Sequence, residues 1–323
     1  MKKMKITIIV CSFLFVGLTS CLKEGNMNTP PGKSISVVAF GNTGDNVSAS
    51  SSTYPGFYAD LGTLANGAST TFNINVQYDG ATTAPTDITV NLGIDNNLLN
   101  TYNTENGTNY VVPPTAVYTM PTSLVIKKGT RMAQGQVKIT NNSSFDFNAA
   151  YGLPISITST SNNAPVSGNF SKAVYSFGVR NIYDGHYTVT ANSPMVDAAN
   201  AGLTGAYPMD VNLVTVGANS VVMVDNAVGS PSHSIMSGAN ASYYGSFAPV
   251  FNFDPSGNGT IISVTNYYGQ PAGNGRSAEM DPSGVNKRTA DKNMKVKYWM
   301  NQPSVITPHR TYFDEIFTYL GSR

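Results

Sequence analysis

The amino-acid sequence predicts an all-β protein of two domains, a β-sandwich followed by an antiparallel β-barrel or a second sandwich. Apolar and polar residues alternate over many short segments, which is typical of half-buried strands. Charged residues make up only 11% of the chain, while Asn, Thr, Ser, Gly and Tyr are abundant. That composition suits sheets with neutral polar faces that are joined by Asn and Gly turns.

The first twenty residues have the pattern of a lipoprotein signal peptide. Three lysines precede a short apolar run over 6–18, which is too short to span a bilayer as a stable helix. The lipobox sequence Leu18-Thr19-Ser20-Cys21 follows. The pattern predicts cleavage after residue 20 and lipidation of Cys21, the alternative being an ordinary secretory signal with an incidental cysteine. We therefore expect a membrane partner, through a lipid anchor.

Residues 21–33 are polar and contain two prolines and two glycines, so they predict a flexible tether. The second cysteine, Cys11, lies within the signal, and the mature chain keeps Cys21 alone. This distribution excludes disulfides, thiolate zinc sites and cysteine nucleophiles from the folded part. Removal of the signal leaves sixteen Lys and Arg against eighteen Asp and Glu, a balance that gives no indication of nucleic-acid binding.

Residues 34–180 form the first predicted domain. Strict alternation predicts half-buried strands in 71–78 and 87–94, and further strands in 34–40, 123–127, 136–140, 154–158 and 172–180. In 95–106, Leu98, Leu99 and Tyr102 fall at helical spacing after a capping Asp95, with Gly107 as the stop. Short strands with a single helical interruption predict an immunoglobulin-like sandwich.

Residues 181–323 form the second predicted domain. Strands are expected at 187–191, 209–216, 220–225, 247–253, 260–267, 294–300 and 313–320, with a turn at 254–259. Their short connections predict a meander, closed into a barrel or folded as a sandwich.

Several of these stretches resemble a known family, the Bacteroidetes outer-membrane lipoproteins with an N-terminal immunoglobulin-like domain of unknown function. The resemblance in the first domain rests on 95–103, 106–110, Pro113-Pro114, Tyr118, 125–129 and 153–157. The second domain resembles a C-terminal lipocalin-like β-barrel through 183–187, 245–254 and 310–321. The resemblance implies a location at the outer membrane and cell surface, and Sus-type glycan uptake proteins and glycan as partners.

Catalytic and metal-binding patterns are weak. His186, His233 and His309 are scattered without ligand spacing, so we expect no metal site and surface or strand-end histidines. Ser232-His233-Ser234 lacks a nucleophile elbow and is expected in an exposed loop. The Asp254–Thr265 segment starts like a calcium loop but lacks the terminal glutamate, which favours a turn.

Asp314 and Glu315 are adjacent on a predicted strand, so their side chains point to opposite faces and cannot flank one glycosidic bond together. We expect these two carboxylates to be solvated at strand ends. We expect the same of Asp254, Glu279 and Asp281, the possible partners of a glycosidase pair.

Aromatic pairs in the second domain are the best ligand-binding candidates. They are Tyr243-Tyr244, Tyr267-Tyr268 and Tyr298-Trp299, of which we select Tyr243, Tyr244, Tyr267, Tyr268 and Trp299. Flat rings can stack on the apolar C–H face of a sugar, and Asn266, Gln270 and Asn301 supply hydrogen-bonding groups nearby. The alternative is that these rings fill the core.

The sequence therefore predicts a non-catalytic glycan-binding lipoprotein without a cofactor. A barrel that contains a lipid or other apolar ligand, a glycosidase, and a purely structural or adhesive protein remain as alternatives.

Overall fold

The computed structural model describes residues 35–323. The predicted signal peptide, the whole predicted tether at 21–33 and the lipidation site Cys21 lie outside the described residues, and these predictions are untested. Within the described range, no helix combines the length and apolar character that a membrane crossing requires.

The first half of the described chain contains ten strands and one α-helix. They are β1 Val37–Gly41, β2 Asp45–Asn46, β3 Gly56–Thr63, β4 Ser69–Asp79, β5 Ile88–Ile94, α1 Asn96–Asn106, β6 Tyr118–Thr119, β7 Ser123–Ile126, β8 Met132–Thr140, β9 Tyr151–Thr160 and β10 Lys172–Arg180, with a 3₁₀ turn at Ser161–Asn163.

These strands form two facing sheets, in the orders β1-β4-β8-β6 and β2-β3-β10-β9-β5-β7. One apolar core lies between them and takes residues from both, such as Ile74 of β4 and Leu153 of β9. The predicted sandwich is therefore present, with a parallel pair between β3 and β10. Helix α1 packs outside the second sheet through the predicted Leu98, Leu99 and Tyr102, against Val174.

Helix α1 starts and stops where the sequence predicts. The Asp95 carboxylate accepts hydrogen bonds from the backbone N–H groups of Asn97 and Leu98, which satisfies donors that the first turn leaves free. Gly107 ends the helix in the left-handed conformation, with φ at 63°.

The second half of the chain contains thirteen strands. They are β11 Gly185–Asp197, β12 Leu203–Gly205, β13 Met209–Gly217, β14 Ser220–Asp225, β15 Ser230–Pro231, β16 Ser234–Ser237, β17 Asn240–Tyr243, β18 Pro249–Phe253, β19 Ile261–Asn266, β20 Ser277–Met280, β21 Lys287–Arg288, β22 Met294–Gln302 and β23 Ile306–Gly321.

Ten of these strands make one antiparallel sheet along the path β19-β18-β14-β13-β11-β23-β22-β20, with β15 and β21 paired at its margins. The sheet curls until its edges meet, and a bridge between Thr260 and Lys287 joins the two sides. Between a barrel and a second sandwich, the structure therefore selects a nearly closed barrel. The other three strands form a small sheet, β12-β16-β17, at one end of the barrel.

Side chains fill the barrel interior. Aromatic rings dominate it, and Phe251, Phe313 and Phe317 are at most 1% exposed. Tyr298 and Phe313 stack with centroids 4.7 Å apart. A barrel packed with its own side chains does not favour the alternative in which it contains an apolar ligand.

Candidate functional site

An exposed cluster of three tyrosines lies at the end of the barrel that carries the small sheet. We call Tyr243, Tyr267 and Tyr268 the tyrosine cluster; their side chains are 52%, 49% and 43% exposed. The rings of Tyr267 and Tyr268 meet edge to face, with centroids 5.3 Å apart. Partial burial raises the pKa of Tyr268, and the neighbouring hydroxyl groups of Tyr267 and Tyr243 raise it further. The fold thus gathers three of the five predicted ligand-binding residues.

The chain positions these rings through a braced turn after β19. Asn266 lies at the end of β19 and donates from its side-chain amide to the carbonyls of Ser246 and Arg276, both at 3.0 Å. Gln270 accepts from the backbone N–H groups of Asn266 and Ala278, which ties β19 to β20. Tyr268 donates from its hydroxyl to the carbonyl of Pro231 at 2.8 Å. Asn266 is 5% exposed and Gln270 is exposed, and the hydrogen bonds of both side chains hold the turn together and so position the rings.

Tyr244, predicted as a ligand-binding residue, belongs to the core and not to the exposed surface. Its side chain is 2% exposed, and its hydroxyl donates to Asp197 Oδ2 at 2.7 Å and accepts from Thr311 Oγ1 at 3.0 Å. The guanidinium groups of Arg276 and Arg310 lie over the ring, with Cζ 5.4 and 5.6 Å from its centroid. Adjacent residues of an extended chain point to opposite sides, so Tyr243 is exposed where Tyr244 is buried.

Trp299 faces outward on β22, apart from the tyrosine cluster. Its indole stacks on the imidazole of His309, with centroids 3.8 Å apart and planes 14° from parallel. His309 Nδ1 lies 2.7 Å from Asn301 Oδ1, and the Asn301 amide donates to Glu279 Oε2 at 2.7 Å. One face of the indole is thus already covered by a side chain.

A charged pair lies inside the barrel where the sequence predicts solvated groups. His233 and Glu315 are both 0% exposed, and His233 Nε2 lies 2.7 Å from Glu315 Oε1. The hydroxyls of Tyr207 and Tyr298 also donate to Glu315, at 2.7 and 2.8 Å. Burial and the Glu315 carboxylate raise the pKa of Tyr207 and of Tyr298, so both hydroxyls stay protonated. The predicted exposed loop at 232–234 is therefore wrong.

The geometry also fixes how many protons this pair holds. His233 Nδ1 lies 2.8 Å from the Ser234 carbonyl, which can only accept, so Nδ1 carries a proton. An unprotonated Nε2 would then face an ionised carboxylate with lone pair against lone pair. The pair therefore shares one further proton and is neutral as a whole, which reduces the cost of its burial.

The remaining candidate groups have structural roles. Asp281, expected in solvent, is 6% exposed and accepts from the backbone N–H of Ser283 at 2.9 Å. Asp254 accepts from the backbone N–H of Ser256 within the predicted turn between β18 and β19. His186 lies beside Asp210, and Glu279 is exposed as expected. Across residues 35–323 no group of three His, Cys, Asp or Glu side chains is arranged to hold a metal ion.

Comparisons with known proteins support the fold. A family model described as a "-like, N-terminal domain" matches residues 47–164, just over a third of the chain. A search of curated proteins found no match. A crystal structure of a Bacteroides ovatus protein of unknown function is 13% identical, with a TM-score of 0.54, and the alignment covers 89% of this chain and 95% of that one.

Two other structures are less similar, with TM-scores below 0.5. One is a candidate carbohydrate-binding protein of Bacteroides ovatus, 12% identical over 87% of this chain and 79% of that one, with a TM-score of 0.38. The other is a Bacteroides endoglycosidase with a Man5GlcNAc product, 18% identical over 37% of this chain and 28% of that one, with a TM-score of 0.30. The resemblance to Bacteroidetes proteins with an N-terminal domain of unknown function is confirmed at the level of the fold.

Proposed function

We propose that this protein is a non-catalytic, lipid-anchored glycan-binding protein of the outer-membrane surface, and that the tyrosine cluster contacts the glycan. The observation that carries the proposal is the convergence of three half-exposed rings on one end of the barrel. Rings held at the surface keep apolar area in water, and a sugar's C–H face can cover that area.

The position of the cluster supports this role. Strand β18 runs from Pro249 towards a turn at 254–259, and that turn lines a cavity together with Leu64 and Asn141 of the first domain. Strand β19 returns from this turn to Asn266, so Tyr267 lies at the end of the barrel away from the first domain. An anchor at Cys21 and a sandwich that acts as a spacer would hold the cluster away from the membrane, where Sus-type uptake proteins could receive the glycan.

The carboxylates support a binding role over catalysis. A glycosidase needs two carboxyl groups on either side of the scissile bond in a cleft. Glu315 is enclosed, and both of its oxygens accept hydrogen bonds from protein groups. Incubation with the glycans that bind should release no new reducing ends.

The glycan interaction can be tested by affinity electrophoresis and calorimetry against a panel of polysaccharides. Replacing Tyr243 or Tyr267 with alanine should weaken binding by about threefold to tenfold for each ring lost. Tyr58→Ala is the matched control, because Tyr58 is 37% exposed on the first domain. Absence of binding by the unaltered protein, or equal losses in all three variants, would contradict the proposal.

The anchor needs a separate test. Cys21→Ala should abolish labelling with a fatty-acid probe and release the protein from membranes, while Cys11→Ala should leave the labelled mature chain unchanged. Protease treatment of intact cells would then report whether the domains face outward. Continued labelling of Cys21→Ala would contradict lipidation at this residue.

A further inference from the structure

A second cavity lies at the opposite end of the barrel from the tyrosine cluster. Its volume is about 570 Å³, within the range of ~300–1,000 Å³ that small-molecule sites occupy. Tyr183, Arg288, Lys292 and Tyr319 line it, and Thr63 contributes from the first domain. Two aromatic rings and two cationic side chains thus face one space.

Arg288 is a half-buried cation whose Cζ lies 5.7 Å from the centroid of the Tyr183 ring. Its Nε donates to the Tyr187 hydroxyl at 3.4 Å, and its Nη2 is buried without a hydrogen-bond acceptor. Within residues 35–323, no carboxylate oxygen lies within 4 Å of the guanidinium. A guanidinium that leaves water without a paired anion is costly, so this group is suited to receive one.

Lys292 places a second positive charge on the same wall. Its Nζ lies 4.6 Å from the centroid of the Tyr319 ring and 3.5 Å from the Tyr319 hydroxyl. Along the part of the chain that the structure describes, it also has no carboxylate within 4 Å.

The one carboxylate among the lining residues does not offset these cations, because it is already paired. Asp184 accepts from Arg323 Nε at 2.9 Å and Nη2 at 3.2 Å. It also accepts from the backbone N–H and the hydroxyl of Thr215, both at 2.8 Å. The cavity therefore has a net positive lining. The Tyr183 hydroxyl, also buried without a partner, adds a further hydrogen-bonding group.

We propose that this cavity binds the carboxylate of a small acidic ligand, with Arg288 and Lys292 as its counter-ions and Tyr319 against its apolar part. The ligand can be an acidic sugar or a simple carboxylic acid, which share this chemistry. The proposal does not depend on the tyrosine cluster, which lies at the other end of the barrel.

Calorimetry with the whole mature chain tests the proposal, using D-glucuronate, D-glucose and acetate as probes at low salt. Glucuronate or acetate should bind in a way that depends on Arg288, and glucose should show no binding that depends on Arg288. Arg288→Gln should weaken carboxylate binding by about tenfold to a hundredfold, as expected for a buried hydrogen bond to a charged group. Lys292→Gln should weaken it by about threefold to fivefold, because the Lys292 side chain is exposed. Binding should also weaken as salt is raised. Tighter binding of glucuronate than of acetate identifies the ligand as an acidic sugar; equal binding identifies a simple carboxylate.

Lys287→Gln is the matched control, since Lys287 precedes Arg288 on β21, is exposed and carries the same charge. It should change the affinity by less than about twofold, because an exposed charge outside the cavity is well screened. The double variant Tyr243→Ala/Tyr267→Ala should leave carboxylate binding unchanged. The proposal is overturned if neither carboxylate binds, if glucose binds equally well, or if Lys287→Gln loses as much affinity as Lys292→Gln.

Discussion

The two halves of the molecule bury different kinds of side chain. The sandwich core consists of apolar and aromatic residues from both sheets, such as Ile74, Leu153 and Tyr175. The barrel encloses an equally aromatic core, but it also buries Glu315, His233 and Asp197 at 0 to 2% exposure. Each of these charged groups has hydrogen-bond partners within the barrel.

The two halves therefore differ in what stabilises them. The core of the sandwich is stabilised chiefly by the burial of apolar side chains. Buried polar groups that are hydrogen-bonded, such as Glu315 in the barrel, add little net stability, yet much stability is lost when one partner is removed. The barrel is also the half whose two ends carry the tyrosine cluster and the cationic cavity. The stability predictions that follow test this contrast, with Trp299, the only tryptophan of the sequence, as a fluorescent reporter of the barrel.

Glu315→Ala should have the largest effect. It removes the acceptor of His233, Tyr207 and Tyr298 and leaves these groups buried without a partner, which costs about 3–5 kcal/mol of barrel stability. Urea unfolding followed by Trp299 fluorescence should shift accordingly. The neighbouring Asp314→Ala, on the outer face, should cost less than about 1 kcal/mol. Equal effects of the two variants would contradict the importance of the buried pair.

Tyr244→Phe should have an intermediate effect. It deletes only the hydroxyl that donates to Asp197 and accepts from Thr311, at an expected cost of about 1–3 kcal/mol to the barrel. Tyr243→Phe, one residue earlier and exposed, should change stability by less than about 0.5 kcal/mol. A loss in Tyr243→Phe as large as that in Tyr244→Phe would reverse the assignment of core and surface.

Asp95→Ala should have the smallest effect, confined to the sandwich. It removes the cap of α1 and the contact to Lys172 Nζ at 2.6 Å, and should cost about 1 kcal/mol. Circular dichroism should detect the change, while the Trp299 transition should stay in place. Asp95→Ser keeps a capping oxygen without the charge and should recover most of the stability.

The same position gives a pH dependence with a defined sign. The hydrogen bond from Lys172, followed by those from Leu98 and Asn97, lowers the pKa of Asp95. The contribution of this carboxylate is therefore complete above the ordinary Asp pKa of about 3.9 and is lost as the pH falls through the lower folded value. The stability difference between the unaltered protein and Asp95→Ala should shrink below about pH 4, and a difference that grows there would contradict this account.

Local patterns predicted much of the fold. The alternation in 71–78 correctly places Phe72, Ile74 and Val76 in the core of the sandwich. Asp95 and Gly107 delimit α1 because capping is a property of the adjacent residues. Strand β3 was missed because its residues do not alternate strictly between buried and exposed positions. The small sheet at the barrel end was missed because its strands have only three or four residues each, too few for a periodic signal.

Local sequence patterns did not predict which polar groups are buried. Alternation correctly predicts that Asp314 and Glu315 point to opposite faces, but not that the inward face of β23 would accept a charge. The buried position of Glu315 is tolerated because its carboxylate has a hydrogen-bond partner, His233, which is 82 residues away in sequence and lies just before β16. In the same way, the side chains of Asn266 and Gln270 hydrogen-bond within the protein because the closed barrel brings β19 and β20 together.

By itself, the sequence determined an all-β chain with one capped helix, because alternation and capping depend on neighbours along the chain. The tertiary structure decided which tyrosines are exposed, which carboxylates are buried and where two cations line one cavity. These properties depend on partners that only the closed barrel brings together, and the strength of a charge or hydrogen bond depends on whether such a partner is present.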